Sequence, residues 1–377
     1  MLKLLHHAVE AKPQKPSVKK IVFTQEECIN EDYGFFAEDL VTLEPHVKFV
    51  LTTSKTMYDQ EHQDTNIMFF NTIDELENGS IVKVDNKSIY ILNRPSANNH
   101  SLFLTYNCNH YCLMCSEPPR SDNDSYFIED NLKVIELLDK SLPVIGITGG
   151  EPTLLGDNYL KIVKKIRECL PNTYIRVLTN GKSYKNEKFV KELAEIVGEF
   201  YISEIPLYHS FYANHDYIVQ SKNAFYETVE GIYNCAKNKL FVDIRIVLTL
   251  QNYKDLPNLI YFIYKNMPFV SHIALMSLEY IGFAKLNYDK IHISPLDYQQ
   301  ELIEAIELCE KYQLPVSIYN LPLCLIDKSI RKYAKQTISD WKNEYSEACK
   351  ECVEKTNCSG MFSSTQPVYE NFLTPIY

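Results

Sequence analysis

Three cysteines stand in one short run, Leu104-Thr-Tyr-Asn-Cys108-Asn-His-Tyr-Cys112-Leu-Met-Cys115. The C-x3-C-x2-C spacing offers three thiolates from one piece of backbone, one short of the four that complete a cubane iron-sulfur cluster, so one iron would stay open for another ligand. With 11 cysteines in 377 residues, chance produces a given three-cysteine spacing with a probability on the order of one per cent. Zinc is the rival metal, but it takes a complete tetrahedral set, and the next cysteine along the chain is Cys169.

A second group lies toward the C-terminus: Cys324, then Cys349-Lys-Glu-Cys352, then Cys358. Four thiols are a complete ligand set, and by spacing alone an iron-sulfur cluster and a four-thiolate zinc site are equally served. No cysteine follows Cys358, so this region can build one metal centre at most. The four isolated cysteines, Cys28, Cys169, Cys235 and Cys309, read as structural thiols.

The elements that must position the first group follow from hydrophobic patterning. β-branched runs recur at Ser101–Thr105, Val144–Thr148, Tyr174–Thr179, Phe200–Ser203, Phe241–Thr249 and His272–Met276. Between them lie amphipathic stretches such as Asn131–Asp139, Tyr159–Leu170, Glu187–Ile196 and Lys254–Lys265. Alternating strands and helices predict an α/β fold with a parallel sheet. Six strands, two short of a closed eight-stranded barrel, predict a partial (β/α)6 TIM-like barrel. Loops after strand C-termini form the working face of such sheets. The cysteine run follows the first strand, and Gly149-Gly-Glu-Pro152 follows the second, where glycine lets backbone groups approach a ligand closely.

Residues 1–98 form an N-terminal β-rich extension in this reading. Its hairpin has arms Ile81–Val84 and Ser88–Leu92 and turns at Asp85-Asn-Lys87. Lys12–Pro16 is expected to be mobile. Residues 99–300 carry the partial barrel, and residues 301–377 the cysteine-rich region. A net charge of -11, from 49 acidic and 38 basic residues, argues against nucleic acid and anionic membranes as partners. No run is long and apolar enough for a membrane span or a signal-peptide core. A cytoplasmic setting is expected, and there cysteines read as metal ligands rather than disulfides.

The cysteine loop after the first strand and Gly149-Gly-Glu-Pro152 after the second together resemble the radical S-adenosylmethionine (radical SAM) superfamily. The resemblance implies that Cys108, Cys112 and Cys115 hold a [4Fe-4S] cluster whose open iron binds the amino and carboxylate groups of SAM. It places Gly149, Gly150, Glu151 and Pro152 at the methionyl amino end and the backbone of Met114 near the adenine. Leu178-Thr-Asn-Gly181 resembles the third-strand exit of this family, which brings Thr179 and Asn180 to the cofactor. Reductive cleavage of SAM to a 5'-deoxyadenosyl radical, with hydrogen abstraction from a substrate, is the implied activity, and a flavodoxin or ferredoxin is the implied reductant. At the fourth-strand exit, where many relatives carry serine, this chain has Pro206. His209, His215 and Arg245 are each expected in surface or core roles.

The same resemblance tips Cys324, Cys349, Cys352 and Cys358 toward an auxiliary [4Fe-4S] cluster, with zinc as the alternative. Within the superfamily the chain resembles the His-Xaa-Ser system radical SAM maturases, on Asn107–Arg120, Ala274–Ala284 and Ser339-Asp-Trp-Lys-Asn-Glu344. This implies a ribosomally made peptide or small protein as substrate. Two alternatives are a radical SAM enzyme acting on a small metabolite in cofactor biosynthesis and a non-catalytic iron-sulfur or zinc redox protein. The second has no use for the glycine-acid loop.

Overall fold

The structure is a computed structural model that describes residues 4–60, 64–336 and 343–377. Ser339–Lys342, part of one stretch that resembles the maturases, lie outside the described residues.

The first sheet contains β1 (Leu4–His7), β2 (Glu10–Ala11), β3 (Gln14–Val22), β4 (Tyr33–Ala37), β5 (Phe49–Thr52), β6 (Asn66–Phe69), β7 (Ile81–Asn86) and β8 (Ser88–Asn93). Their order is β1-β8-β7-β3-β4-β5-β6-β2. Only Ala8 and Val9 separate β1 from β2, and their N–H groups donate to Lys87 O and Phe69 O, both at 2.8 Å. One extended run therefore pairs first with β8 and then with β6, which closes the sheet into a barrel and removes its free edges. Phe49, Leu51, Met68, Val82, Ile89 and Ile91 fill the interior. The predicted hairpin is β7–β8, with Asp85 opposite Ser88 and Asn86 in the left-handed region at φ 53°. The Lys12–Pro16 expectation is corrected: Pro16 lies within β3, at an irregularity in its pairing with β7 between Gln14 and Ser17. A residue without an N–H is tolerated at such a bulge.

The second sheet is wholly parallel and in sequence order: β9 (Ser101–Phe103), β10 (Val144–Thr148), β11 (Tyr174–Leu178), β12 (Tyr201–Pro206), β13 (Phe241–Val247), β14 (His272–Met276) and β15 (Val316–Tyr319). All six expected strands are present, and β15 makes seven. The α/β partial barrel follows from the repeated strand-helix unit, with helices between successive strands. These are α2 (Tyr126–Leu137), α3 (Asp157–Cys169), α4 (Glu187–Val197), α5 (Tyr212–Val219), α6 (Ala224–Lys237), α7 (Leu256–Asn266), α8 (Phe283–Leu286), α9 (Tyr288–Ile291) and α10 (Gln299–Lys311), while α1 (Lys55–Asp59) belongs to the first sheet. Start and stop signals are local. Asn186 caps α4 by accepting from Phe189 N, and Gly198 at φ 59° ends it.

The two sheets are joined through α2. Lys83 pairs with Asp130 at 2.6 Å, with both side chains largely buried, and Lys133 pairs with Asp32 at 2.6 Å. Val18 and Ile81 of the first sheet share an apolar core with Ile135 and Leu138. Among the described residues no helix is long and apolar enough to cross a membrane.

One close approach fixes the turn after β11. A Cβ on Gly231 of α6 would sit 2.2 Å from Gly181 O, and Thr228 Oγ1 donates to Asn180 O at 2.9 Å. Gly231→Ala is therefore expected to lower the unfolding free energy by about 1–3 kcal/mol, the usual cost of overpacking, read as a lower urea midpoint with an unchanged slope.

Candidate functional site

The cysteine loop leaves β9 and is held at its root by a buried carboxylate. Asp124, just before α2, accepts from Thr105 Oγ1 at 2.7 Å and Tyr106 N at 2.6 Å, and Asn107 Nδ2 reaches both of its oxygens at 3.3 Å. Farther along, Tyr111 N and Leu113 N donate to Val219 O and Ile218 O of α5. On its other side Phe283 N donates to Cys115 O at 2.8 Å, and Asn287 Nδ2 donates to Leu113 O at 3.0 Å. A Cβ on Gly282, which has φ +56°, would meet Cys115 O and Ser116 O at 2.6 Å. The Ala274–Ala284 stretch that carries part of the subfamily resemblance thus lies over the cysteine loop.

The loop after β10 is pressed against the same backbone. Gly150 N donates to Thr105 O and Glu151 N to Asn107 O, both at 2.7 Å. Gly149 has φ +151°, and a Cβ there would lie 2.6 Å from Thr105 O. On Gly150 it would lie 2.3 Å from Asn107 O. Only glycine fits at either position. Pro152 is buried at the start of a one-turn helix, Pro152–Leu155, that Glu151 caps.

The Glu151 carboxylate is fully buried. One oxygen accepts from Thr153 N at 3.0 Å, Thr153 Oγ1 at 2.6 Å and Thr179 Oγ1 at 2.7 Å, and the other from Asn180 N at 2.6 Å. Burial raises its pKa, and these donors oppose the rise. Asn180 turns back to the cysteine loop, with Nδ2 donating to Asn109 Oδ1 at 2.6 Å. The exits of β9, β10 and β11 are thereby one hydrogen-bonded unit.

Cys108, Cys112 and Cys115 belong to this unit, half-buried by surface area. Burial pushes Cys108 up to about 12 and Cys112 well above the ordinary thiol value, with the Cys115 thiol adding to both shifts. Free, they stay protonated; a metal that binds them must displace those protons. Cys108 Sγ accepts from His110 N at 3.3 Å. Met114 is packed with Leu113, Tyr208, Leu278 and Tyr280. Beneath the loop both ring nitrogens of His110 and Nε2 of His215 lack partners. Burial drives both histidines to a pKa of about 3, so the imidazoles are neutral.

Sequence reasoning did not single out Asp124, Asn109 or Tyr208. Tyr208, just after β12, is buried with its pKa raised by burial and by the neighbouring Cys112 thiol. Its only sequence signal is its place after a strand. His209 pairs instead with Asp255 at 2.9 Å, in a surface pocket of about 340 Å³ bounded by Tyr253 and Lys254.

Charged side chains pair across β11, β12 and β13. Glu204 pairs with both Arg176 and Arg245, and Arg176 also holds Asp243 at 3.0 Å. These attractions keep Glu204 below its ordinary value although burial opposes them. Burial prevails at Asp243, which rises to about 6.

Cys324, Cys349, Cys352 and Cys358 line one cavity. Cys358 Sγ accepts from Leu323 N at 3.3 Å and Gly360 N at 3.4 Å, and Cys352 Sγ from Ile376 N at 3.4 Å. Among the described residues no three His, Cys, Asp or Glu side chains are gathered as ligands of a single metal ion. Of the isolated cysteines, Cys28, Cys235 and Cys309 are buried and Cys169 is partly so.

Residues 102–263 match the radical SAM superfamily, so the chain contains a radical SAM superfamily domain. That family implies a [4Fe-4S] cluster and SAM, and three thiols on one loop are a donor set that fits such a cluster. No curated protein matches the chain. Among solved structures, Streptococcus suis SuiB is similar at 15% identity and TM-score 0.47, covering 59% of this chain and 49% of SuiB. SuiB bound to its precursor peptide SuiA is similar at 14% identity and TM-score 0.47, covering 59% of this chain and 48% of that one. Native anSMEcpe with bound AdoMet and Kp18Cys peptide is similar at 19% identity and TM-score 0.46, covering 58% of this chain and 62% of that one. The chain thus spans about half the length of SuiB.

Two outcomes are expected. Glu151→Gln turns an amide donor toward buried N–H and hydroxyl donors and should cost about 1–3 kcal/mol of stability, measured by urea unfolding. Asp243 has a folded pKa of about 6 against an ordinary value of 3.8. Between those values the folded state binds more protons than the unfolded one, so this group makes stability fall as pH rises through the window and adds no further slope above it. Asp243→Asn should remove that contribution and gain on the parent between pH 4 and 7 by up to about 3 kcal/mol, checked by denaturation at both pH values.

Proposed function

We propose that this chain is a radical SAM enzyme that modifies a ribosomally made peptide or protein, with Cys108, Cys112 and Cys115 as ligands of the SAM-binding [4Fe-4S] cluster. The observation that carries the reading is the single hydrogen-bonded unit formed by the cysteine loop, the Gly149–Pro152 loop and Thr179–Asn180 at one end of a parallel sheet. When bound, the cluster and SAM supply reductive cleavage of SAM and hydrogen abstraction from the substrate.

The protein's own contribution is position. Gly149 and Gly150 bring backbone groups to the methionyl amino end, and the backbone of Met114 stands by for the adenine. The Glu151 carboxylate is occupied by Thr153, Thr179 and Asn180, so in this reading it acts by holding those backbones and not by direct contact. Pro152, Thr179 and Asn180 act through the same unit. Tyr208, beside the Cys112 thiol, covers the site from the β12 side.

The peptide substrate is supported by the resemblance to the His-Xaa-Ser system maturases and by an open sheet of seven strands, in which β9 and β15 do not pair. The closed first barrel offers no edge for strand addition, so a peptide would enter over the second sheet. A cytoplasmic setting and a flavodoxin or ferredoxin reductant go with this reading, with neither nucleic acid nor membrane as partner.

Cys324, Cys349, Cys352 and Cys358 are proposed to hold an auxiliary [4Fe-4S] cluster. The four thiols line one cavity, and the resemblance favours iron and sulfur over zinc there.

Anaerobically purified protein is expected to contain about eight irons per chain, four for each cubane. Replacing Cys108, Cys112 and Cys115 together by alanine should lower this to about four and abolish 5'-deoxyadenosine formation under reducing conditions. Unchanged 5'-deoxyadenosine would overturn the assignment of the cysteine loop. Four irons plus one zinc in the parent would overturn the auxiliary cluster alone. Co-expression with small open reading frames from the same locus, followed by mass spectrometry, tests the peptide substrate.

A further inference from the structure

All four residues of the segment Leu373–Ile376 line the four-thiol cavity. Its backbone touches two of the sulfurs. Ile376 N donates to Cys352 Sγ at 3.4 Å, and the backbone of Thr374 hydrogen-bonds Cys324. The strap is held from both ends. Val353 N donates to Ile376 O at 3.0 Å, beside Cys352 itself. On the other side Tyr369, which is buried, meets Ser277 Oγ at 2.6 Å, and Leu373 is buried.

From this geometry we infer that Leu373–Ile376 is a strap that closes the four-thiol centre to solvent and external ligands and raises its reduction potential. The inference rests on the reading of these thiols as ligands of an iron-sulfur cluster. Each N–H dipole aimed at a ligand sulfur stabilises the extra negative charge of the reduced state, and hydrogen bonds to sulfur together with solvent exposure are among the factors that set cluster potentials. With four protein thiolates and a cover, no iron is left for a substrate to ligate.

The test uses the full chain carrying Cys108, Cys112 and Cys115 as alanine, so that one cluster remains. Thr374→Pro and Ile376→Pro each delete one N–H and should lower the midpoint potential in an EPR-monitored titration. Ile376→Ala keeps the N–H but removes apolar cover. It should speed iron loss to a ferrous chelator several-fold. Unchanged potentials in both proline variants, or an unchanged rate in Ile376→Ala, would overturn the strap while leaving the cluster reading intact. If a proline variant does not fold, the alanine variant decides. A background protein that binds zinc and no iron would overturn both.

Discussion

The buried Glu151 carboxylate is the interaction on which the site depends. It accepts four hydrogen bonds from two successive loops, while its own N–H reaches the cysteine loop at Asn107 O. A buried carboxylate is costly unless its lone pairs are filled, and here the filling groups are the backbone and hydroxyls that must be held still. The same groups would be loose in solvent without it, because each loop follows a strand of only three to five residues. Rigidity at three strand exits therefore comes from one side chain and two glycines that let the loops touch.

A second buried carboxylate, Asp124, repeats the device at the root of the cysteine loop. Between the two acids and the backbone bonds from α5 and Phe283, the run Cys108–Cys115 is fixed along its length. The backbone that carries the thiols is thus held by the protein itself. What burial does to their acidity points the same way: neutral thiols can be packed in an apolar site, and binding a metal exchanges their protons for its charge.

Much of this was legible in the sequence because chemistry restricts residue type. Three cysteines and a Gly-Gly-Glu run have few other uses, and six β-branched runs, alternating with amphipathic stretches, gave six strands of a parallel sheet. The seventh, β15, is four residues long and stands behind Pro315, so its pattern is too short to separate from a turn. Closure of the first sheet was not legible at all: Leu4 pairs with Ile91, and no local periodicity encodes such a distant contact. Asp124, Asn109 and Tyr208 escaped notice for a related reason, since each is a single residue of common type whose role exists only in space. Lys12–Pro16 misled because proline and lysine were read for composition, whereas a bulge in β3 accommodates them.

The two cysteine sites also share a mechanical connection. Gly282 and Phe283 clasp Cys115 O, and two residues earlier Tyr280 bonds His292 Nδ1 at 2.6 Å and approaches Tyr369. Tyr369 in turn meets Ser277 at the end of β14 and precedes the strap over the second set of thiols. The loop after β14 is therefore anchored to both sites by hydrogen bonds between buried groups, which tolerate little displacement because any donor or acceptor pulled out of register is left unpaired. This arrangement explains why seven strands suffice: the C-terminal segment, through Ser277, Tyr369 and the bridge from Ile318 to Ala334, supports the β14–β15 side of the sheet where an eighth strand would otherwise stand.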